Sequence, residues 1–225
     1  MENIRTKTFS GFIRLALILG LLLFLPAWTV NYWLGWIYFF VFLVPCLIIT
    51  LYFLKHDIEL IKSRLHAGPT AEKEKNQKII QSFTGILAIG IIVLSSLDYR
   101  FGWTRIPFYF SIISDLIMII GFYFMFLVFK ENRFTSAIIQ VQSEQKVIST
   151  GAYSFVRHPM YSAGLLLFIF TPPALGSLLG LICSVLLIIF LILRTLDEEK
   201  VLIRDLKGYK EYCEKVRFRF VPYLW

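Results

Sequence analysis

An arginine, a histidine and two tyrosines stand where a polar segment turns into a long apolar one. The run from Gly151 to Tyr161 reads GAYSFVRHPMY. Pro159 suits the first turn of a helix, because proline has no amide hydrogen to leave unpaired. A helix N-terminus exposes free backbone donors and a partial positive charge, so an anionic group such as a carboxylate is expected to dock there beside Arg157. Since isolated ionisable groups are costly in hydrocarbon, this cluster predicts a functional site at a membrane boundary.

Two adjacent glutamates lie at the far end of the apolar stretch that follows. Residues 160–193 would extend about 51 Å as one helix, too long for a bilayer core of about 30 Å. Pro172-Pro173 is therefore expected to mark the tip of a hairpin, which returns Arg194, Glu198 and Glu199 to the side of the arginine and histidine. Arg194 and Glu198 are four residues apart and share a helix face. A carboxylate and an arginine together suit a zwitterionic ligand that carries extra positive charge.

The composition places most of the chain in lipid. Of 225 residues, 57% are hydrophobic and 17% aromatic, and the mean hydropathy is +0.70. These values exceed what a soluble core of this size needs. Four segments near the ~20 residues that cross a bilayer precede the hairpin: 12–30, 34–54, 82–97 and 108–129. With the two arms of the hairpin, the sequence predicts an all-α integral membrane protein of about six transmembrane helices.

Lysine and arginine are distributed unequally between the loops. The N-terminal tail carries two, the 55–78 loop six, the 130–157 segment four and the chain from residue 194 eight, which makes 20. The opposite loops hold only Arg100 and Arg105. Under the positive-inside rule this split predicts that both termini are cytoplasmic. Anionic lipid headgroups then explain the net charge of +8, so no nucleic-acid partner is predicted.

The chain divides into a four-span membrane region, 1–130, and a C-terminal region, 131–225, that carries the candidate site. The 55–78 loop mixes charges of both signs and is interpreted as a solvated connector. The polar segment 131–150 is too long for a simple turn and is a candidate functional loop. After Arg194, apolar residues recur at helical spacing. They predict an amphipathic helix that lies on the headgroups, is interrupted at Gly208 and ends at Pro222.

The combined pattern resembles the isoprenylcysteine carboxyl methyltransferase family, which is related to the phospholipid N-methyltransferases. The residues that carry the resemblance are Gly151, Tyr153, Arg157-His158-Pro159-x-Tyr161, Arg194-x-x-x-Glu198-Glu199, Gly208-Tyr209-x-x-Tyr212 and Pro222. The similarity covers about the last 95 residues, from Arg133 onward. Each piece alone is a weak signal, whereas the combination is specific.

The resemblance implies a multi-pass membrane enzyme that takes S-adenosylmethionine from the cytosol and methylates an acceptor arriving from the bilayer. By position, the residues implied in cofactor binding are Gln142, the strand-like stretch of Gln145, Lys146, Val147 and Ile148, then Tyr153, His158, Pro159, Met160, Tyr161 and Glu198. Arg194 matches a family arginine implicated on the acceptor side, and Arg157 and Glu199 complete the candidate catalytic set. The chain departs from the common family pattern at Gln145, Ala152 and Ala163, where histidine, proline and glycine are usual.

Methyl transfer from a sulfonium is an in-line displacement, so alignment and exclusion of water contribute most and no metal is required. A carboxylate acceptor is already nucleophilic and would be oriented by Arg194. A thiol or an amine acceptor must lose a proton, and His158 and Glu199 are the candidate bases. A prenylated cysteine, another lipid and a small hydrophobic thiol or acid all remain open as acceptors.

Two other classes of membrane protein compete with this reading. A reductase of the steroid-reductase type has a similar C-terminal architecture but uses NADPH, and the intact Arg157-His158-Pro159 run with the glutamate pair favours the methyltransferase. A transporter usually places ionisable residues deep within its spans, and here only Arg14 and Asp115 approach that position. The three cysteines have no paired spacing, so neither a disulfide framework nor a metal site is predicted.

Overall fold

The chain is helical throughout most of the part that the computed structural model describes, residues 4–65, 67–72, 74–135, 137–139 and 145–225. The helices are α1 (Ile4–Ala27), α2 (Trp33–His56), α3 (Ile58–Leu65), α4 (Lys75–Phe101), α5 (Phe108–Glu131), α6 (Pro159–Ala174), α7 (Gly180–Asp205) and α8 (Tyr209–Lys215). A short 3-10 helix, Gly151–Ser154, precedes α6. Within the described residues there is no strand. The all-α prediction is therefore confirmed.

Five of these helices, α1, α2, α4, α5 and α7, are long and apolar enough to cross a membrane. Helix α6 has 16 residues, fewer than the ~20 that span the hydrocarbon. The predicted multi-pass architecture is confirmed, with five full-length candidates and α6 as a short sixth member. Large apolar side chains such as Leu17, Ile86 and Ile120 are about 60% exposed on the outer faces, as lipid contact requires.

Helices α6 and α7 form the predicted hairpin, but the chain reverses slightly later than expected. Pro172 and Pro173 lie within the last turn of α6, and the turn itself occupies residues 175–179. The carbonyls of the two prolines accept hydrogen bonds from Ser177 and Gly176 at 2.9 and 3.0 Å. Gly176 has φ +77°, a left-handed conformation that glycine adopts without steric cost.

The long helices form a ring in which each contacts the next. Helix α5 packs on α6, α6 on α7, α7 on α4, α4 on α1, α1 on α2 and α2 on α5. The short α6 also contacts α4 and α2 across the ring. Because successive spans alternate in direction, the 55–78 loop, the 131–158 segment and the chain after α7 meet on one side of the molecule. That side carries most of the lysines and arginines.

On the opposite side, Asp98 fastens the α6–α7 turn to α4. Its carboxylate is fully buried and accepts hydrogen bonds from the Thr104 amide at 2.7 Å and the Ser177 hydroxyl at 2.6 Å. The Tyr32 hydroxyl donates to the Leu175 carbonyl at 2.6 Å. Removing one partner would leave a buried polar group without a hydrogen bond, which is costly. These contacts therefore fix the position of the α6–α7 turn against α4 and the chain before α2. Because the turn is fixed, the opposite ends of α6 and α7, which carry the candidate site residues, are also held in place.

The amphipathic helix predicted from Arg194 onward is in fact two helices. Helix α7 continues out of its apolar part to Asp205, and α8 begins after Gly208, which has φ +87°. Four apolar residues of this region are buried in one cluster with Val147 packed against it: Leu206, Tyr209, Tyr212 and Val216. The expectation that this face lies on lipid headgroups is wrong for these four residues, which pack on one another and on Val147. Leu196 and Ile203, which belong to the same predicted pattern, are exposed.

Candidate active site

A cavity of about 580 Å³ opens where the 55–78 loop, α4, α5, the 131–158 segment, α6 and α7 meet. Its volume falls in the range of sites that bind cofactors and drug-sized molecules. The residues predicted from sequence that line it are Gln145, Tyr153, Arg157, His158, Met160, Tyr161, Arg194 and Glu198. Residues that are 53 positions apart in sequence therefore share one concave surface.

The remaining predicted residues are placed differently. Those that do not line the cavity are Lys146, Val147, Ile148, Pro159 and Glu199. Gln142 lies outside the described residues. The strand-like stretch predicted at 145–148 is neither helix nor strand, and Val147 packs against the cluster at α8 instead. Of that stretch, Gln145 alone reaches the cavity wall.

The turn before α6 is fixed by a glycine and a buried tyrosine. Gly151 has φ +56°, and a Cβ at this position would lie 3.1 Å from Cδ of Glu131. The Tyr153 hydroxyl accepts a hydrogen bond from Asn132 at 3.0 Å, and the Tyr153 carbonyl accepts one from Tyr212 at 2.6 Å. Burial raises the pKa of Tyr153, so its hydroxyl stays protonated. The turn therefore presents a neutral, rigidly held phenol to the cavity.

The backbone that leads into α6 pairs with the C-terminal tail, residues 216–225. The amides of Arg157 and His158 donate to the carbonyls of Phe218 and Arg219, each at 2.9 Å. Pro159 is the first residue of α6, as predicted. The expectation that free backbone donors here bind an anion is wrong for Arg157 and His158, because the tail already accepts from both.

Glu199 is a buried carboxylate on which three basic side chains converge. Its Oε1 lies 3.1 Å from Nε of Arg157 and 3.2 Å from Nε2 of His158, and its Oε2 lies 2.9 Å from Nε of Arg219. The residue is 5% exposed. The Tyr209 hydroxyl approaches His158 Nε2 at 3.4 Å, and burial, followed by the nearby Glu199 charge, raises the pKa of this tyrosine. Glu199 thus positions Arg157 and His158, which line the cavity, although it does not line the cavity itself.

Glu198 and Arg194 meet at the hydroxyl of Tyr161. That hydroxyl donates to Glu198 Oε2 at 2.6 Å and accepts from Arg194 Nε at 3.2 Å. The expected proximity of Arg194 and Glu198 to the start of α6 is therefore confirmed. A guanidinium has five N–H donors. All five of Arg194 are used, and their acceptors are the side chains of Tyr161, Glu72, Gln77 and Gln81 and the carbonyl of Ala137. In this arrangement Arg194 positions its neighbours and has no donor left for a ligand.

The 55–78 loop contributes to the site in a way that sequence reasoning missed. Glu72 is 3% exposed and forms a salt bridge of 2.7 Å with Arg194. Its other oxygen accepts from the Ile139 amide at 3.2 Å. Arg64 and Gly68 also line the cavity. The interpretation of this loop as a solvated connector is wrong, and no local pattern distinguishes Glu72 from a surface acid because its partner is 122 residues away.

The C-terminal tail is a second contribution that was missed. The Phe220 ring lies 5.7 Å from the Tyr161 ring in an edge-on arrangement, and the Phe220 carbonyl accepts a hydrogen bond from Ser162 at 2.6 Å. The Arg219 guanidinium lies 4.8 Å from the centre of the Trp225 ring. The tail thus covers the first turn of α6 and holds Arg219 against Glu199.

The cavity extends from this polar end into the apolar part of the bundle. One face of α4 supplies Gln81, Thr84, Gly85 and Ala88, and the facing helices supply Gly164, Phe168 and Leu191. From Gln81 to Ala88 the wall runs about 10 Å along α4, at ~1.5 Å per residue. Gly85 is exposed, and a Cβ placed there would meet no atom within 4 Å. The apolar end therefore has open space at Gly85.

Comparison with known proteins gives one finding for the central part of the chain. A sequence model of the phospholipid methyltransferase family matches residues 109–207. No curated protein matches the chain. The match includes the Arg157 to Tyr161 run and the Glu198-Glu199 pair, and it ends before Tyr209. Because this family includes the isoprenylcysteine carboxyl methyltransferases, the resemblance seen in the sequence is confirmed over these residues.

Proposed function

We propose, from the premise that residues 109–207 belong to the phospholipid methyltransferase family, that this chain transfers the methyl group of S-adenosylmethionine to a lipid-soluble acceptor. The family match over residues 109–207 and the five apolar helices support a membrane methyltransferase. The single observation that carries the finer proposal is that His158, Tyr161 and Glu198 line one cavity with a polar and an apolar end. Such a cavity suits a charged cofactor at one end and a lipid-soluble acceptor at the other.

The residues of the polar end fit the charges of the proposed cofactor, which carries a sulfonium, an ammonium and a carboxylate. Glu198 Oε2 is bonded to Tyr161, and no described residue bonds its Oε1, which leaves that oxygen for a cationic group. Tyr153 and Met160 offer aromatic and apolar surface to a planar base. Glu198, Tyr153 and Met160 are therefore the residues proposed to hold the cofactor.

When bound, S-adenosylmethionine supplies an electrophilic methyl group on a positively charged sulfur. Glu198 attracts the cationic part of the ligand. Tyr161 holds the Glu198 carboxylate in place by donating a 2.6 Å hydrogen bond to it. Arg194 fixes Tyr161 in turn, while Glu72 neutralises Arg194. These contacts pre-organise the polar end, so that bringing the acceptor atom into line is the main remaining requirement.

The two candidate bases have separate roles in this proposal. His158 lines the cavity and Glu199 does not. A proton removed from a thiol or an amine acceptor would go to His158, and Glu199, 3.2 Å away, stabilises the imidazolium that forms. A carboxylate acceptor needs no base, and His158 then serves to shape the wall.

The proposed orientation places the polar end of the cavity in the cytosol. The chain segments on that side of the molecule carry 20 lysines and arginines, whereas the other side carries two. This asymmetry is what the positive-inside rule associates with the cytoplasm. S-adenosylmethionine would then enter from the cytosol, and the acceptor would enter from the bilayer beside Gly85.

Label transfer from methyl-tritiated S-adenosylmethionine to lipid-phase products tests this proposal. We expect the parent protein, in vesicles that contain candidate acceptors, to move label into an organic extract. Gly85→Phe should lower kcat/KM for the acceptor by about tenfold or more, since the phenyl group would fill the open space that the acceptor is proposed to occupy, and tenfold corresponds to about 1.4 kcal/mol. Binding of the cofactor should be unchanged, because Gly85 lies in the apolar part of the wall.

Gly11→Phe is the matched control for this experiment. Gly11 is also an exposed glycine in a membrane helix, and a Cβ there also meets no atom within 4 Å, but it does not line the cavity. It should retain the parent rate. Equal rates for parent and Gly85→Phe would show that the acceptor does not enter beside α4.

A further inference from the structure

Arg64 is a cavity-lining cation that has no acid beside it in the described part of the chain. It lies in the last turn of α3, and its guanidinium is 4.9 Å from the centre of the Phe129 ring. No carboxylate of the described residues lies within 4 Å of it, and none of their oxygens accepts a hydrogen bond from it. The guanidinium is held instead over the face of Phe129.

The other two arginines that line the cavity each form an ion pair with an acid that does not line it. Arg157 lies 3.1 Å from Glu199, and Arg194 lies 2.7 Å from Glu72. Neither of these acids lines the cavity. Among the described residues that line the cavity, Arg64 is therefore the arginine without a paired acid.

Arg64 is partly buried, so its charge is less well hydrated than that of a surface arginine. Loss of hydration lowers the pKa of Arg64, and the partly negative hydroxyl of Tyr161 offsets only some of that effect. A partly buried cation without an anion has lost hydration that no ion pair replaces. An anionic ligand in the cavity would remove that cost, and the planar guanidinium suits two parallel bonds to a carboxylate or a phosphate.

We infer that Arg64 binds an anionic oxygen group of a ligand in the cavity. The inference rests on the proposed function, which supplies two sources of such a group. One is the amino-acid carboxylate of S-adenosylmethionine. The other is an acid headgroup on the acceptor, whose apolar part would extend along α4 toward Ala88.

The first arm of the test concerns the cofactor. Calorimetry on the purified full chain compares S-adenosylmethionine with its decarboxylated analogue, using the parent and Arg64→Gln. If Arg64 holds the cofactor carboxylate, the parent should prefer the intact cofactor by about tenfold or more, and Arg64→Gln should lose that preference.

The second arm concerns the acceptor. Binding of dodecanoate and of the uncharged dodecanol is compared in nanodiscs of zwitterionic lipid, again with the parent and Arg64→Gln. If Arg64 holds an acceptor acid, the parent should prefer the carboxylate by about tenfold or more, and Arg64→Gln should bind both probes alike.

Two further variants separate a binding role from a structural one. Arg64→Lys keeps the charge and should restore most of the preference in the arm that shows it. Lys62→Gln removes one positive charge from the exposed face of the same helix, where Lys62 pairs with Glu59, and should change neither arm.

The outcomes distinguish this inference from the proposed function. Loss of the preference in either arm on Arg64→Gln supports the inference. Binding in both arms that is identical in the parent and Arg64→Gln overturns it, and the proposed function stands if the parent still binds the cofactor. A parent that prefers dodecanoate through Arg64 but binds no S-adenosylmethionine would support the anion site and contradict the methyltransferase assignment.

Discussion

Replacing Glu199 with Gln is expected to lower the free energy of unfolding by about 3 kcal/mol or more. The carboxylate is 5% exposed and lies within 3.2 Å of basic nitrogens of Arg157, His158 and Arg219. Removing the acid from a buried ion pair leaves its cations unpaired, which costs about 3–5 kcal/mol. The substitution should also loosen the C-terminal tail, because Arg219 holds the tail to this carboxylate.

Thermal unfolding of the purified protein in detergent measures this effect. A loss of 3 kcal/mol corresponds to a fall in Tm of roughly 6–12 °C for a chain of this size. Glu211→Gln on α8 is the control, because Glu211 is an exposed acid on the same side of the molecule. A Glu199→Gln protein as stable as the control would show that the three contacts contribute little.

Replacing Glu198 with Gln is expected to weaken binding of S-adenosylmethionine by about 1.5–3 kcal/mol, or roughly 10- to 150-fold. That range is typical of a hydrogen bond to a charged group. Stability should change little, because the amide oxygen of Gln can still accept the hydrogen bond that Tyr161 donates. The two adjacent glutamates therefore separate binding from stability.

The contacts of Glu199 make it unsuitable as the control for the Glu198→Gln experiment. Neighbouring residues on a helix point about 100° apart, which from sequence makes Glu199→Gln a natural comparison with a smaller effect. In the structure Glu199 holds Arg157 and His158 in place, so its loss would disturb the cavity indirectly. Glu211→Gln is the better control. Unchanged affinity in Glu198→Gln would show that this acid does not contact the cofactor.

The part of the site that is predictable from sequence depends on local motifs and on the length of the apolar stretch. Pro159 marks the start of α6, and the length of the apolar stretch requires a hairpin. Together these bring Arg194 and Glu198 back to Tyr161, as the contacts show. Motif spacing and the bilayer thickness were sufficient for this much of the architecture.

The part that sequence did not reveal depends on long-range burial. Glu72 is an acid in a polar loop, and only the folded ring of helices places it against Arg194. Arg64 and Arg219 are likewise ordinary basic residues until α3 folds beside the cavity and the C-terminal tail folds over the first turn of α6. A charge in a short loop has no local periodicity that separates a buried partner from a solvated one. Its role is therefore visible only in the structure.

A calorimetric titration of the purified parent protein tests the central claim most directly. S-adenosylmethionine, and its demethylated product S-adenosylhomocysteine, should each bind at one site per chain, and NADPH should not bind. The same titration with Glu198→Gln should show the weaker affinity given above. Saturable binding of NADPH together with no binding of either adenosyl compound would contradict the methyltransferase assignment and favour a membrane reductase.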